Sequence, residues 1–228
     1  AIGRAGAIIA ELYRILPDEV QPGRTTAELD RFSEDFIRSY EGAEPAFKGL
    51  YGFPATLCTS INHEVVHGIP SSRRKLVEGD ILSIDCGVTL EGFYGDAAIT
   101  VPVGEIPEEV ATLLRVTRES LEAGVAQAAP GKRLGDIGAA IQAVADRAGY
   151  GIVRELVGHG IGRAPHEDPQ VPNYGRAGRG MPLEVGLVIA IASRCIPRSR
   201  PLPGTLFSVL GGLGGGVLGV ILILGTAV

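Results

Sequence analysis

The sequence lacks both a set of paired cysteines and an excess of positive charge. Its three cysteines, Cys58, Cys86 and Cys195, are an odd number spread widely, which argues against a disulfide framework and is typical of a reducing compartment. The net charge of −5 gives no indication of a nucleic-acid partner. Residues 1–10 show no signal-peptide pattern. We therefore expect a cytoplasmic protein that does not bind nucleic acid.

The end of the sequence lacks charge altogether. No Asp or Glu follows Glu184, residues 201–228 carry no charged side chain, and eight of those 28 residues are glycine. This segment is long and apolar enough to span a bilayer, although its glycine content argues against a stable helix. A membrane-anchored protein is therefore one hypothesis, which carbonate-wash fractionation would test.

At 228 residues the chain is long enough for a substantial core, in one large domain or two small ones. Apolar spacing, caps and breakers predict a series of helices and strands. The predicted helices cover residues 2–16, 26–37, 107–129 and 134–148. The predicted strands cover residues 55–61, 81–86, 93–101, 152–157 and 186–191.

An internal repeat relates the two halves of the chain. Residues 22–30 resemble 130–138, and residues 76–85 resemble 183–192. Each half reads as two helices followed by strands, which predicts duplicated α+β halves sharing one mixed, mostly antiparallel sheet with helices on one face. The same match places Ala192 where the first half has an aspartate, so a symmetric site would lack a carboxylate there.

Two short apolar runs carry aspartates. Residues 81–86 and 93–101 predict a hairpin that turns near residues 90–91, which would set Asp85 opposite Asp96. Opposed Cβ atoms lie roughly 4.5–5.5 Å apart, so two buried carboxylates would repel each other. A divalent cation, or a pair of them about 3.5–4 Å apart, would relieve that repulsion. The alternative is that one aspartate caps a turn and the other is exposed.

Two histidines follow in a glycine-rich segment. His159 is flanked by glycines that would let its ring approach a site closely, and His166 lies seven residues further on. A solvent-exposed histidine in a turn is the alternative. Asp and His ligands together suit Mn²⁺, Fe²⁺, Co²⁺ or Zn²⁺. Paired ions would indicate a metallohydrolase, in which His67 and His166 could contact substrate or move protons.

Several motifs resemble the type I methionine aminopeptidases, in order and at similar spacing. They are residues 58–70 (Cys-Thr-Ser-Ile-Asn-His-Glu-Val-Val-His-Gly-Ile-Pro), 83–87, 94–98, 158–167 and 169–175. The resemblance runs from about residue 2 to residue 191. It implies the pseudo-symmetric "pita-bread" α+β fold and a site for two divalent ions held by two Asp, one His and two Glu. Asp85, Asp96 and His159 match the Asp and His ligands.

The resemblance also implies roles in substrate binding. His67 and His166 match the two histidines that contact substrate and the tetrahedral intermediate, and Phe53 and Cys58 match positions lining the methionine pocket. The implied activity is metal-dependent removal of the N-terminal methionine from newly made peptides. The implied partners are peptides with N-terminal methionine, with possible ribosome association, and we expect a monomer.

The departure from the family begins at one residue. The family continues Glu-Pro-Met after Gly-Leu-Val-Ile-Ala-Ile, and that Glu is a ligand, whereas residues 192–195 here are Ala-Ser-Arg-Cys. The family's last Glu ligand has no counterpart either. Ala-Ser-Arg-Cys can be written GCG AGC CGA TGC, which contains GAG CCG ATG, the codons for Glu-Pro-Met. A frame shift would therefore explain residues 192–228.

These observations predict an incomplete methionine aminopeptidase-like catalytic domain over residues 1–191 and an aberrant glycine-rich apolar tail over 192–228. Loss of the closing strands would leave residues 188–191 as an exposed edge. We expect at most one weak site for Co, Mn, Fe or Zn, and impaired activity. The alternatives are a non-catalytic peptide- or protein-binding member of the fold, favoured by the missing ligands, and an Xaa-Pro dipeptidase, disfavoured by residues 62–70.

Overall fold

The structure is a computed structural model that describes residues 1–198 and 217–223. The helices of the described part are α1 (Ile2–Glu19), α2 (Thr26–Arg38), α3 (Glu108–Val125) and α4 (Leu134–Arg147), with a short 3₁₀ helix over Leu50–Gly52. The strands are β1 (Ala43–Pro45), β2 (Leu57–Ile61), β3 (Ile81–Leu90), β4 (Phe93–Pro102), β5 (Tyr150–Ile152), β6 (Gly158–Gly160), β7 (Glu167–Val171), β8 (Val188–Pro197) and β9 (Val217–Ile223).

All of the strands join one antiparallel sheet. Its order is β1-β3-β4-β9-β8-β6-β7, with β2 paired to β3 and β5 paired to β8. In one apolar cluster, Leu12 of α1 and Leu29 of α2 are buried with Ile84 of β3. In a second cluster, Ile137 of α4 is buried with Ile189 of β8. The predicted α+β fold, with one helix pair in each half, is confirmed.

The internal repeat is visible as matching contacts in the two halves. An isolated bridge joins Thr25 to Lys75 in the first half, and another joins Arg133 to Pro182 in the second. The sequence repeat pairs these residues in the same way, since a shift of about 107 or 108 residues relates both partners. Thr25 and Arg133 are also the N-caps of α2 and α4. The two halves are therefore related in structure as well as in sequence.

The β3–β4 hairpin differs from the prediction in its register. Asp85 lies opposite Ala98, and Asp96 lies opposite Gly87, so the two aspartates are not directly opposed. The two-residue turn is Glu91-Gly92, one residue later than expected, and both of its residues have positive φ, 53° and 76°. Such a turn requires φ > 0 at both central positions, and Glu91 adopts it here. Because the offset is two residues, both aspartates still lie on one face of the sheet.

Two of the predicted strands differ most in their bounds from the strands of the structure. The strand expected over residues 152–157 ends at Ile152, because the Asn173 side chain donates hydrogen bonds to the carbonyl oxygens of Val153 and Leu156. Those carbonyls are therefore satisfied without a partner strand. The strand expected over residues 186–191 is Val188–Pro197 and continues through the point where the family resemblance ends.

The expectation of an exposed edge at residues 188–191 is wrong. In the structure β8 pairs with β6 on one side and with β9 on the other, and β9 also bridges to β4. None of the four α-helices in the described part of the chain combines the length and the apolar composition of a membrane span. Most of the segment on which the membrane-anchor hypothesis rests, residues 201–216 and 224–228, lies outside the described residues.

Candidate active site

The two carboxylates predicted from the hairpin lie beside each other on the face of the sheet. Asp85 Oδ1 is buried and accepts no hydrogen bond in the described structure. Burial, together with the neighbouring Asp96 carboxylate, raises the pKa of Asp85 well above its usual range, and the positive charge of Arg194 opposes that shift. Two adjacent carboxyl groups of this kind favour either a shared proton or a bound cation.

His159 joins the second half of the chain to these carboxylates. Its Nε2 lies 3.6 Å from Asp96 Oδ2, and its Nδ1 donates to the Gly160 carbonyl oxygen at 2.9 Å. Burial disfavours the charged ring, but the interactions with Asp96 and Gly160 outweigh it and raise the pKa of His159. The His159 side chain is only 18% exposed, so the alternative of a solvent histidine is wrong.

The glycines around His159 are required by close packing. A Cβ at Gly158 would lie 2.1 Å from the Ala190 carbonyl oxygen, and one at Gly160 would lie 2.2 Å from that of Asp168. β6 therefore fits between β8 and β7 only with glycine on both sides of His159. The sequence interpretation, that flanking glycines let the ring approach a site, agrees with this packing.

His166 lies next to His159. The ring centroids are 4.4 Å apart, with the planes tilted by 58°. Burial and the nearby His159 lower the pKa of His166. The two rings therefore favour different protonation states, with His159 the more basic and His166 the less basic of the pair.

One cavity brings together six of the seven residues predicted from the sequence. This cavity, of about 520 Å³, is called the first cavity here and is lined by Phe53, Cys58, His67, Asp85, Asp96 and His166 together with apolar residues of the 47–54 segment. His67 is exposed and has a positive φ of 59°. The predicted pocket positions and the predicted catalytic positions therefore share one space.

A second cavity, of about 580 Å³, is also lined by the carboxylates. It shares Asp85, Asp96 and His166 with the first cavity and adds His159, Ala192 and Arg194. The carboxylates therefore lie where two cavities meet. An extended ligand could place one part in each cavity and its central group at the carboxylates.

Cys58 does not have the properties of a nucleophile. It lies opposite Asp85 in the β2–β3 register. Burial, and then the negative charge of Asp85, raise the pKa of Cys58 to about 12. The thiol therefore remains protonated at neutral pH, which fits a lining role rather than thiolate chemistry.

The pseudo-symmetry of the sheet locates the positions that lack a carboxylate. In the first half Asp85 pairs with Ala98, and Asp96 pairs with Gly87. The equivalent pairs in the second half are Ala192 with Gly219 and Arg194 with Val217. Positions 192 and 217 are therefore the counterparts of the two aspartates, and neither residue is acidic.

The residues present do not fit the two-metal centre that the family resemblance implies. Asp85, Asp96 and His159 are suitable donors, and the orphaned Oδ1 of Asp85 could accept a cation. However, no three His, Cys, Asp or Glu side chains within residues 1–198 are grouped closely enough to hold a metal ion. The assignment of these three residues as metal ligands stays a prediction.

Arg194 is the site residue that sequence reasoning missed. It lines the second cavity together with both carboxylates, and only 7% of the residue is exposed. The signal was available, because alternate residues of a strand share a face and Arg194 is two residues after Ala192. The sequence interpretation treated residues 192–195 only as a departure from the family pattern.

Comparisons with known proteins identify the family of the chain. The model of metallopeptidase family M24 matches residues 1–217. A methionine aminopeptidase of Clostridium acetobutylicum is 56% identical over 188 residues, which cover 82% of this chain and 75% of that protein. Methionine aminopeptidase 1 of Bacillus subtilis is 48% identical over 187 residues, with the same coverage of 82% and 75%. A crystal structure of methionine aminopeptidase from Thermotoga maritima superposes with a TM-score of 0.88 at 35% identity, covering 96% of this chain and 90% of that one.

The fold and the paired-carboxylate site define a metallopeptidase-type hydrolase, and the chain belongs to metallopeptidase family M24. Within that family its relatives place it among the type I methionine aminopeptidases, a group of metallo-exopeptidases. The family as a whole depends on divalent metal ions.

Proposed function

We propose that the chain binds peptides through their N-terminal methionine, as a methionine aminopeptidase does, and that its peptidase activity is impaired. The observation that carries the proposal is the first cavity, in which the predicted methionine-pocket residues and the predicted catalytic residues line one space. The named activity of the relatives supports the choice of substrate.

The first cavity suits a methionine side chain. Phe53 and Cys58 line it, along with Phe47 and Leu50. A thioether is flexible and makes favourable contacts with aromatic rings, worth about 0.3–1.5 kcal/mol each. Because the Cys58 thiol stays protonated, it adds no charge to oppose burial of an apolar side chain. The cavity therefore favours methionine over charged N-terminal residues.

The carboxylates suit the free amine of the substrate. A peptide N-terminus is cationic near neutral pH, and Asp85 and Asp96 lie where the two cavities meet. With the methionine side chain in the first cavity and the next residues in the second, the scissile carbonyl would lie near His166. The lowered pKa of His166 keeps its ring neutral, so it can accept a proton at neutral pH.

The impairment follows from the second half of the sheet. Positions 192 and 217 are the counterparts of Asp85 and Asp96 and carry Ala and Val. The family's chemistry uses metal ions that such carboxylates help to hold, and here the donors are too few. We expect peptide binding to survive better than catalysis.

Binding and cleavage can be tested separately. Calorimetric titration with Met-Ala-Ser should show binding, and N-acetyl-Met-Ala-Ser, which lacks the free amine, should bind at least tenfold more weakly. Phe53→Ala should weaken both the binding of Met-Ala-Ser and its selectivity over Glu-Ala-Ser. Cleavage with Mn²⁺ or Co²⁺ present should stay near background. Equal binding of free and acetylated peptide would contradict the proposal.

A non-catalytic role is the second candidate, because a buried arginine lies at the carboxylates where the family places metal ions. It predicts peptide binding with no turnover under any metal, whereas impaired catalysis predicts slow turnover that rises with metal concentration. A cytoplasmic location, a monomeric state and association with ribosomes remain predictions. Ultracentrifugation and ribosome co-sedimentation would test the last two.

A further inference from the structure

Arg194 takes the position in the second half that a glycine takes in the first half. The pseudo-symmetry pairs Arg194 with Gly87, since Arg194 lies opposite Val217 as Gly87 lies opposite Asp96. Position 87 requires glycine, because the Phe47 ring packs against it and a Cβ there would come within 2.6 Å of that ring. The second half instead places a long cationic side chain over the same face.

The Arg194 side chain extends from the second half of the chain to the first. β8 holds its backbone, and Nη1 donates to the Val65 carbonyl oxygen at 2.7 Å, in the loop that also carries His67. Arg194 lines the second cavity with Asp85, and the two residues also line a small pocket together with Val65 and His67. The Arg194 side chain therefore connects β8 of the second half to the Val65 loop of the first half, and it lines the same space as Asp85.

Because Arg194 is buried, its charge interacts strongly with the charged groups around it. Burial lowers the pKa of Arg194 to about 10, which still leaves the guanidinium charged at neutral pH, and Asp85 favours that charge. A buried cation and a pair of buried carboxylates each carry a desolvation cost that only an opposite charge offsets. Asp85 and Asp96 need positive charge, and Arg194 is a buried cation that lines the second cavity and the small pocket together with Asp85.

We infer that Arg194 is the built-in counter-ion of the Asp85–Asp96 pair and competes there with divalent cations. A metal ion approaching these carboxylates meets a fixed like charge, so its affinity falls below what the same two carboxylates and His159 would give alone. This inference concerns cation binding by the chain itself and does not depend on the proposed peptidase function.

The test is Mn²⁺ affinity, followed through the electron paramagnetic resonance signal of free Mn²⁺ and through the Mn²⁺-induced shift in melting temperature. Arg194→Gln removes the charge but keeps a donor for the Val65 carbonyl, and Arg194→Met removes both. Arg115→Met is the matched control, because Arg115 is exposed on α3 and its loss changes the net charge equally. Arg194→Lys keeps the charge.

We expect both Arg194→Gln and Arg194→Met to bind Mn²⁺ at least tenfold more tightly than the wild type. Arg115→Met and Arg194→Lys should bind within about threefold of the wild type. If the two neutral variants bind no more tightly than the wild type, the inference is overturned. Tighter binding by Arg115→Met as well would also overturn it, because the effect would then come from net charge.

The neutral variants could lose their fold, since they leave the carboxylates without a cation. In that case Asp85→Asn/Arg194→Met removes one charge of each sign. Recovery of a cooperative urea transition in the double variant would support a charge pair. A double variant as unfolded as Arg194→Met alone would overturn it.

Discussion

His159 Nε2 lies 3.6 Å from Asp96 Oδ2, and this contact joins β6 of the second half to β4 of the first. The His159 ring also contacts the ring of His166, and the two ring centroids are 4.4 Å apart. His159 therefore contacts both the Asp96 carboxylate and the His166 ring, and His166 contacts the His159 ring. Burial disfavours the charged form of both rings. Asp96 and the Gly160 carbonyl outweigh burial and raise the pKa of His159, whereas burial and the nearby His159 lower the pKa of His166.

The first prediction concerns the titration of these two rings. As the pH rises from 5 to 8, His166 should lose its proton first and His159 last. A raised pKa in the folded state means that charged His159 stabilises the fold fully below its ordinary pKa, and this contribution is lost as the pH rises through the raised value. Proton–carbon NMR of the imidazole Cε1–H groups measures both titrations.

Asp96→Asn is the control for this titration. It removes the carboxylate that raises the pKa of His159 while keeping the shape of the side chain. The pKa of His159 should then fall below its wild-type value, because burial lowers it and only the hydrogen bond to Gly160 is left to oppose that effect. A wild-type His166 that titrates above His159 would contradict the assignment.

The second prediction is one weak divalent-ion site. Asp85, Asp96 and His159 should bind a single Mn²⁺ or Co²⁺ ion only weakly in calorimetric titration, because the three side chains would first have to move closer together and are fewer donors than a two-metal centre needs. Asp96→Ala should abolish binding, because Asp96 is next to both of the other donors. Two tight sites would contradict this prediction.

The third prediction separates a catalytic from a structural role for His67. The residue is exposed, so His67→Ala should leave the melting temperature almost unchanged. In a protein whose reading frame is restored after residue 191, the same change should lower the rate on Met-Ala-Ser by about 100-fold or more. His67→Asn is a useful second variant because asparagine tolerates the positive φ of 59° at this position.

A large loss of stability in His67→Ala with nearly normal activity would assign His67 a structural role. His63, four residues earlier in the same loop, is the matched comparison. It does not line the first cavity, so His63→Ala should change the rate little.

The sequence predicted the fold because its signals were local or repeated. The capping box of Thr25 and Glu28 marked the start of α2, and the repeat related Asp85 to Ala192 before any strand was placed. The hairpin register was wrong because it depended on which two residues take positive φ, and Glu91 is not a residue type that favours it. Strand alternation would have placed Arg194 on the same face of the sheet as Ala192. Its approach to the first half could not be deduced, because it depends on pairing between β8 and β9 and on a contact with Val65, 129 residues away.

The fourth prediction concerns Tyr13, a residue of α1 beneath the two aspartate strands. Its hydroxyl lies 2.6 Å from the Ala97 carbonyl oxygen and 3.1 Å from that of Ile84, next to Asp96 and Asp85 respectively. Tyr13→Phe should lower the free energy of unfolding by about 1 kcal/mol, the usual net contribution of a hydrogen bond. Tyr40→Phe, which removes an exposed bond to Glu11, should cost less than about 0.5 kcal/mol in urea denaturation. Equal costs for the two variants would contradict a specific role for the Tyr13 hydroxyl.

The fifth prediction concerns restoration of activity at position 192. Ala192 lines the second cavity and is the counterpart of Asp85, so Ala192→Glu adds one carboxylate on the correct face of the sheet. It should nevertheless leave cleavage of Met-Ala-Ser near background, because Val217, the counterpart of Asp96, still supplies no carboxylate and Arg194 still supplies positive charge. The neighbouring residues that would orient such metal ligands through hydrogen bonds are missing as well.

Three proteins decide the question when assayed on Met-Ala-Ser with Co²⁺ or Mn²⁺: the original chain, Ala192→Glu, and a chain whose alternative frame is restored from codon 192 onward. The restored frame replaces the ligands, the strand and their surroundings together, and it also removes Arg194. We expect cleavage only by the restored protein. Ala192→Gln introduces a side chain that is similar in size to glutamate but uncharged, and its cleavage rate should equal that of the original chain. If the original chain cleaves as fast as the restored one, the missing carboxylates are not needed, and the assignment of the site to Asp85, Asp96 and His159 with two absent partners is wrong.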